Sequence, residues 1–129
     1  MREAETAEAI ALCKYMELRH SKIFDHMFHV PNGGLRNKTV AAKLKAQGAK
    51  AGVSDYFIAI PVGRYHGLWL ELKAGKNGLT PTQKEWLRRM TIQNYACVAA
   101  WGWEAAAQCI EQYINGQVDR IILEDLVEQ

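Results

Sequence analysis

The hexapeptide Leu68-Trp69-Leu70-Glu71-Leu72-Lys73 constrains the fold more than any other stretch of this chain. It is apolar except at its end and reads as a buried strand. Strand side chains alternate, so Glu71 and Lys73 share one face while Leu72 points the other way. Before it stands Asp55-Tyr56-Phe57-Ile58-Ala59-Ile60, a second buried-strand pattern that stops at Pro61. Val62-Gly63-Arg64-Tyr65-His66-Gly67 is a turn between the two, which predicts a hairpin. Folding it about Gly63-Arg64 places Asp55 across from Leu72, to within one residue. A shift of one residue either way brings Asp55 onto the face of Glu71 and Lys73.

The flanking segments supply helices. Residues 3–19 carry a rough apolar stripe (Ile10, Leu12, Cys13, Met16, Leu18) and much Ala. Met27-Phe28-His29-Val30 is short and β-prone, and Pro31-Asn32-Gly33-Gly34 is a turn. Residues 38–47 read as a helix stopped by Gly48. Thr80 caps a helix with Pro81 at its first position, running to about Asn94. Ala96 to Ala100 reads as a strand, Trp103 to Tyr113 as a helix, and 118–127 as an amphipathic segment able to pack on the domain or on a partner. This order predicts an α/β or α+β fold, a small mixed β-sheet flanked by helices. At 129 residues the chain is sized for a single domain, 1–129, with one real core.

Composition excludes several classes. Apolar residues make up 49% and charged residues 23%, as in ordinary globular proteins. No apolar run is long enough to span a bilayer, and the first residues lack the apolar segment of a signal peptide. Cys13, Cys97 and Cys109 cannot all pair within the chain and fit no zinc spacing. The expectation is a cytoplasmic protein with reduced thiols and no membrane association. No Gly-rich triphosphate loop is present, so no nucleotide cofactor is expected.

Net charge is only +2, but its distribution is uneven. Residues 26–54 hold no acid, while carrying Arg36, Lys38, Lys43, Lys45 and Lys50; residues 104–129 hold six acids and one base. An acid-free basic block suits a polyanion-binding surface. A solvated helix face that happens to be basic reads equally well from this feature alone.

Two carboxylates and one ammonium converging at a strand end suit Mg²⁺, which takes hard oxygen ligands and retains waters. A carbonyl of the same strand, such as that of Leu72, offers a further ligand. Such a metal acidifies water and polarises a phosphodiester, with Lys73 orienting the attacking water or offsetting transition-state charge. The competing interpretation is an ordinary Asp–Lys–Glu salt bridge. The turn Gly52-Val53-Ser54-Asp55, the basic block before it and Thr80-x-x-Gln83 after it favour the catalytic one.

Four ordered motifs carry a resemblance: Pro31-Asn32-Gly33-Gly34-Leu35-Arg36, Gly48 to Asp55, Gly67 to Lys73, and Thr80-Pro81-Thr82-Gln83-Lys84-Glu85-Trp86. Over about residues 5–114 the chain resembles the VRR-NUC (virus-type replication-repair nuclease) branch of the PD-(D/E)XK superfamily. The resemblance implies a restriction-endonuclease-like core and DNA phosphodiester cleavage dependent on Mg²⁺ or Mn²⁺. It carries over onto Asp55 and Glu71 as metal ligands, Lys73 as the catalytic lysine and Gln83 as the glutamine on the following helix. An acid is also expected on the first helix, with Glu5 the better fit and Glu8, one turn on, its competitor. The chain departs from the family in having Ser54 where members often have Pro, and Ala9 where many carry Gln.

Stand-alone members of this family, typically phage or bacterial, resemble dimeric enzymes acting on four-way (Holliday) junctions. Branched DNA is therefore the expected partner and a homodimer the expected state, with 103–113 and 118–127 as interface candidates. A nuclease for flaps, nicks or single strands, or a DNA-binding module with a decayed site, are the rivals. Asn32, Gly33, Gly34, Arg36 and Lys38 are candidates for phosphate contact through a backbone nest. His26 and His29 read as surface or satisfied core residues. His66, Arg64 and Tyr65 sit in the hairpin turn. Trp69, Trp86, Trp101 and Trp103 read as core.

Overall fold

The computed structural model describes residues 3–31 and 37–117. The elements run α1 (Glu3–Arg19), α2 (Ser21–Phe24), β1 (Met27–His29), α3 (Lys38–Ala46), β2 (Tyr56–Ile58), β3 (Leu68–Lys73), α4 (Pro81–Ile92), β4 (Ala96–Trp101) and α5 (Trp103–Ile114). The four strands form one sheet in the order β1-β2-β3-β4. β1, β2 and β3 are antiparallel neighbours, and β3 and β4 are parallel with α4 as the crossover. The expected small mixed sheet with flanking helices is the one found.

The two faces of the sheet differ. Leu68, Leu70 and Leu72 of β3, with Ala96, Val98 and Ala100 of β4, line one face and are all buried. Against them lie α1, which buries Glu5, Ala9, Leu12 and Met16, and α5, which buries Ala106, Ala107, Ile110 and Tyr113. These spacings of three and four residues give each helix one inward stripe. The Tyr113 hydroxyl donates to the Ile60 carbonyl at 2.6 Å, tying α5 to the hairpin. On the opposite face the Trp69 ring stacks 4.5 Å from Phe57 and meets Trp86 of α4 edge-on at 5.2 Å. Fully burying one such side chain is worth about 1.5–3 kcal/mol, so this double-sided core dominates the stabilisation.

Several boundaries differ from the sequence reading. β2 spans three residues where the pattern suggests six, because paired β1 covers only Met27–His29 and the chain leaves the sheet before Pro61. The short helix α2 has no apolar periodicity to announce it. Trp101, outside the expected strand, closes β4 and stays 46% exposed, so it is not core. Trp103 packs on the core and tilts against Tyr15 at 5.4 Å. Helix α5 spends its apolar face within the chain, so residues 103–113 offer little apolar surface to a partner. The expected segment 118–127 lies outside the described residues. No helix among the described residues is long and apolar enough to cross a membrane.

Candidate active site

The hairpin register decides the site. Tyr56 pairs with Leu70 and Ile58 with Leu68, which carries Asp55 opposite Glu71. Of the registers left open by the turn, this one puts Asp55, Glu71 and Lys73 on the same face. All three are buried, at 8%, 2% and 5% exposure, and Glu5 at the start of α1 is buried at 8%.

Each group is held by an identifiable contact. The Asp55 carboxylate accepts the Leu72 N–H at 2.7 Å, replacing a ladder bond just past the end of β2. Its own carbonyl accepts from Val30 N at 2.7 Å and from His29 Nδ1 at 2.9 Å, so β1 fixes the backbone of this residue. Gln83, one turn into α4, links the other two. Its carboxamide oxygen accepts from Thr80 N at 2.9 Å and from Lys73 Nζ at 3.3 Å, and its Nε2 donates to Glu71 Oε1 at 2.9 Å. The same Gln83 completes a reciprocal capping box with Thr80. One side chain thus starts the helix and aligns Glu71 with Lys73.

A cleft of about 160 Å³ opens here, lined by Ala51, Gly52, Val53, Asp55, Glu71, Thr80, Thr82 and Gln83. Gly52 has φ +85°, and a Cβ there would stand 2.3 Å from the Thr82 carbonyl oxygen. The loop before Asp55 therefore lies backbone to backbone on the first turn of α4, an approach only glycine permits.

The electrostatics are unbalanced. Burial pushes the Glu71 carboxyl up to about 9, and the Asp55 charge adds to it while Lys73 opposes it. Asp55 is also raised, mainly by burial and partly by Glu5, against the Leu72 N–H. Glu71 Oε2 is buried with no hydrogen-bond partner. Two facing carboxyls, one with an unsatisfied oxygen, and the added negative influence of Glu5 stand against one ammonium, a site short of positive charge. A divalent cation fits that deficit.

Among the described residues, no three His, Cys, Asp or Glu side chains gather closely enough to hold a metal on their own. The available donors are the Asp55 and Glu71 carboxylates and the Leu72 carbonyl. That carbonyl lies on the same strand edge as the Leu72 N–H, since the next carbonyl, of Lys73, turns to Gly102 N at 2.9 Å. One or two carboxylates, with water and phosphate completing the shell, is what Mg²⁺ takes.

The two first-helix acids separate. Glu5 acts electrostatically on both Asp55 and Glu71. Glu8 instead accepts the Trp103 N–H at 2.7 Å, capping α5, whose N-cap Gly102 has no side chain to do so. Lys38 is exposed at the start of α3 and does not line the cleft. Asn32, Gly33, Gly34 and Arg36 lie outside the described residues. His26 and His66 are exposed. The sequence reading missed His29 as a support of Asp55, for which a three-residue edge strand gives no signal, and Thr82 as a wall of the cleft, which depends on how the first turn of α4 packs on the loop before Asp55.

Neither a family model nor a curated protein matches the sequence. Among solved structures, a chain described as a VRR_NUC domain protein superimposes with a TM-score of 0.77, is 32% identical, and is matched over 89% of this chain and 91% of that one. With its restriction-endonuclease-like mixed sheet and these ordered motifs, this chain belongs to the VRR-NUC family of nucleases.

Proposed function

We propose that this chain is a Mg²⁺- or Mn²⁺-dependent DNA endonuclease, selective for branched DNA such as four-way junctions and working as a homodimer. The observation that carries the chemistry is the facing pair Asp55 and Glu71, buried, with one oxygen unsatisfied and Lys73 tied beside them through Gln83.

Asp55, Glu71 and the Leu72 carbonyl would hold the cation, which would supply polarisation of the scissile phosphodiester and a more acidic water. Lys73, held by Gln83, would supply an ammonium to orient the attacking water and offset the charge that builds on the phosphate. Gln83 fixes that ammonium and the Glu71 carboxylate in one geometry, while Glu5 adds negative charge to the cation's surroundings. The cleft, about 160 Å³, takes a phosphate and its solvent but not a base pair. The duplex must lie outside it.

The surface for that duplex is the basic segment. Helix α3 buries none of its residues, and it exposes Lys38, Lys43 and Lys45, with Lys50 leading into the cleft-lining Gly52. Phosphate neutralisation by such lysines supplies most non-specific affinity. In the sequence the same acid-free run also holds Arg36. A four-way junction needs two symmetric cuts, which a two-fold dimer supplies.

The deciding experiment incubates the protein with a labelled four-way junction, flap, linear duplex and single strand, each with Mg²⁺, Mn²⁺ or EDTA. Paired symmetric cuts in the junction alone, with metal, are expected. Cuts confined to flap or single strand would keep the chemistry and remove the junction; cleavage by Asp55→Asn at the wild-type rate would remove the site assignment. Light scattering at micromolar concentration tests the dimer.

A further inference from the structure

β3 and β4 are parallel, and in open sheets ligands gather beyond the carboxyl ends of parallel strands. The residues that end these two strands are Lys73 and Trp101, and they are register partners. Their side chains therefore leave the same face of the sheet from strands about 4.8 Å apart. Every other residue of β4 is buried or half-buried, yet Trp101 is 46% exposed.

The indole is not loose. Its Nε1–H donates to the Asn77 carbonyl at 2.7 Å, in the connection that leads from Lys73 to the α4 N-cap. The one polar group of the side chain is thus used, and the ring is fixed. What remains open to solvent is a rigid apolar surface beside the lysine. Leaving about half of a Trp in water forfeits burial free energy. Trp69, Trp86 and Trp103 are packed instead.

Resting on the nuclease reading above, we propose that Trp101 is a stacking platform for a nucleobase of the cleaved strand, adjoining the phosphate held at Lys73. The lining of the cleft has no aromatic ring to receive the flanking base, and Trp101 is the aromatic surface next to Lys73 on the β4 side. Any base has a π-face, so the platform reads no sequence. It does require a base free of its duplex stack, which a branch point or a strand end provides and an intact helix does not. Trp101 is in this way a selectivity residue for unstacked DNA.

The test is binding by fluorescence anisotropy to a fluorescein-labelled four-way junction in EDTA, with an abasic residue walked one position at a time through the strand. In the wild type one position weakens binding roughly 5- to 150-fold, the range of base–aromatic stacking. Trp101→Phe keeps most of the affinity. Trp101→Ala binds the intact junction as weakly as the wild type binds the abasic one, and is indifferent to the abasic residue. Wild-type insensitivity at every position, or an abasic effect that persists in Trp101→Ala, overturns the platform while leaving the nuclease reading intact. Trp101→Phe as weak as Trp101→Ala overturns it too, because the indole would then matter only as an anchor for Asn77. A wild-type chain that binds no DNA overturns both.

Discussion

Gln83 donates to Glu71 at 2.9 Å while accepting from Lys73 at 3.3 Å, so a single carboxamide ties the Glu71 carboxyl to the Lys73 ammonium. It also closes the capping box of α4. Gln83→Ala should therefore reduce metal-dependent cleavage roughly 10- to 100-fold, as losses of a ligand's hydrogen-bond partner do. It should also cost about 1 kcal/mol of stability through the cap. Gln83→Glu can restore neither the donor to Glu71 nor a neutral oxygen for Lys73, and adds a further carboxyl to the site. Cleavage kinetics beside thermal unfolding separate the two losses; full activity in Gln83→Ala would remove this residue from the site.

The raised carboxyls make stability depend on pH in a stated direction. Glu71 keeps its proton in the folded, metal-free chain up to about 9 but loses it near 4.5 when unfolded. Over that interval the native state binds more protons, so metal-free stability falls as pH rises. A cation competes with those protons, and the Tm gained from Mg²⁺ or Mn²⁺ should grow with pH across the same window. Glu71→Gln should flatten the slope, leave the protein more stable than wild type at pH 8 without metal, and abolish cleavage. A metal-free Tm that rises from pH 5 to pH 9 would contradict the burial of this pair.

Much of this was legible because strands and turns constrain one another locally. Leu68 to Lys73 announced both its burial and the shared face of Glu71 and Lys73, and the hairpin turn fixed Asp55 to within one residue. What resisted was set by tertiary packing. Glu5 and Glu8 sit one turn apart on α1, and only the arrival of α5 with an uncapped Trp103 N–H draws Glu8 away. Trp101 has apolar neighbours in sequence like the other tryptophans. Its exposure follows from standing at the strand end, beyond the cover of α4.

Gly52 tests whether the cleft depends on the close approach of its loop to α4. Gly52→Ala meets both a φ of +85° and the Thr82 carbonyl at 2.3 Å. The expected cost is about 1–3 kcal/mol, with a further loss of cleavage because the loop carries Asp55. Gly48→Ala is the control: its φ is +102° but nothing lies within 4 Å, so strain alone applies, about 1–2 kcal/mol, with cleavage kept. Equal activity losses in both variants would show that the loop does not shape the site.

Helix α3 gives the last prediction. A nine-residue helix is too short to be stable on its own in water. Asn37 caps it, its side chain accepting from Val40 N at 2.8 Å, but it brings no buried residue to the core. Lys43 and Lys45 add little to folding there and much to a polyanion surface. Lys43→Ala with Lys45→Ala should leave Tm nearly unchanged and weaken binding to duplex arms irrespective of sequence. The slope of log affinity against log salt should fall by about 1.8, since each phosphate contact contributes about 0.9. The turnover rate at saturating DNA should be unaffected, because neither lysine lines the cleft that holds Asp55 and Glu71. An unchanged salt slope would place the duplex on another face of the molecule, and the acid-free run from 26 to 54 would then be only a solvated surface.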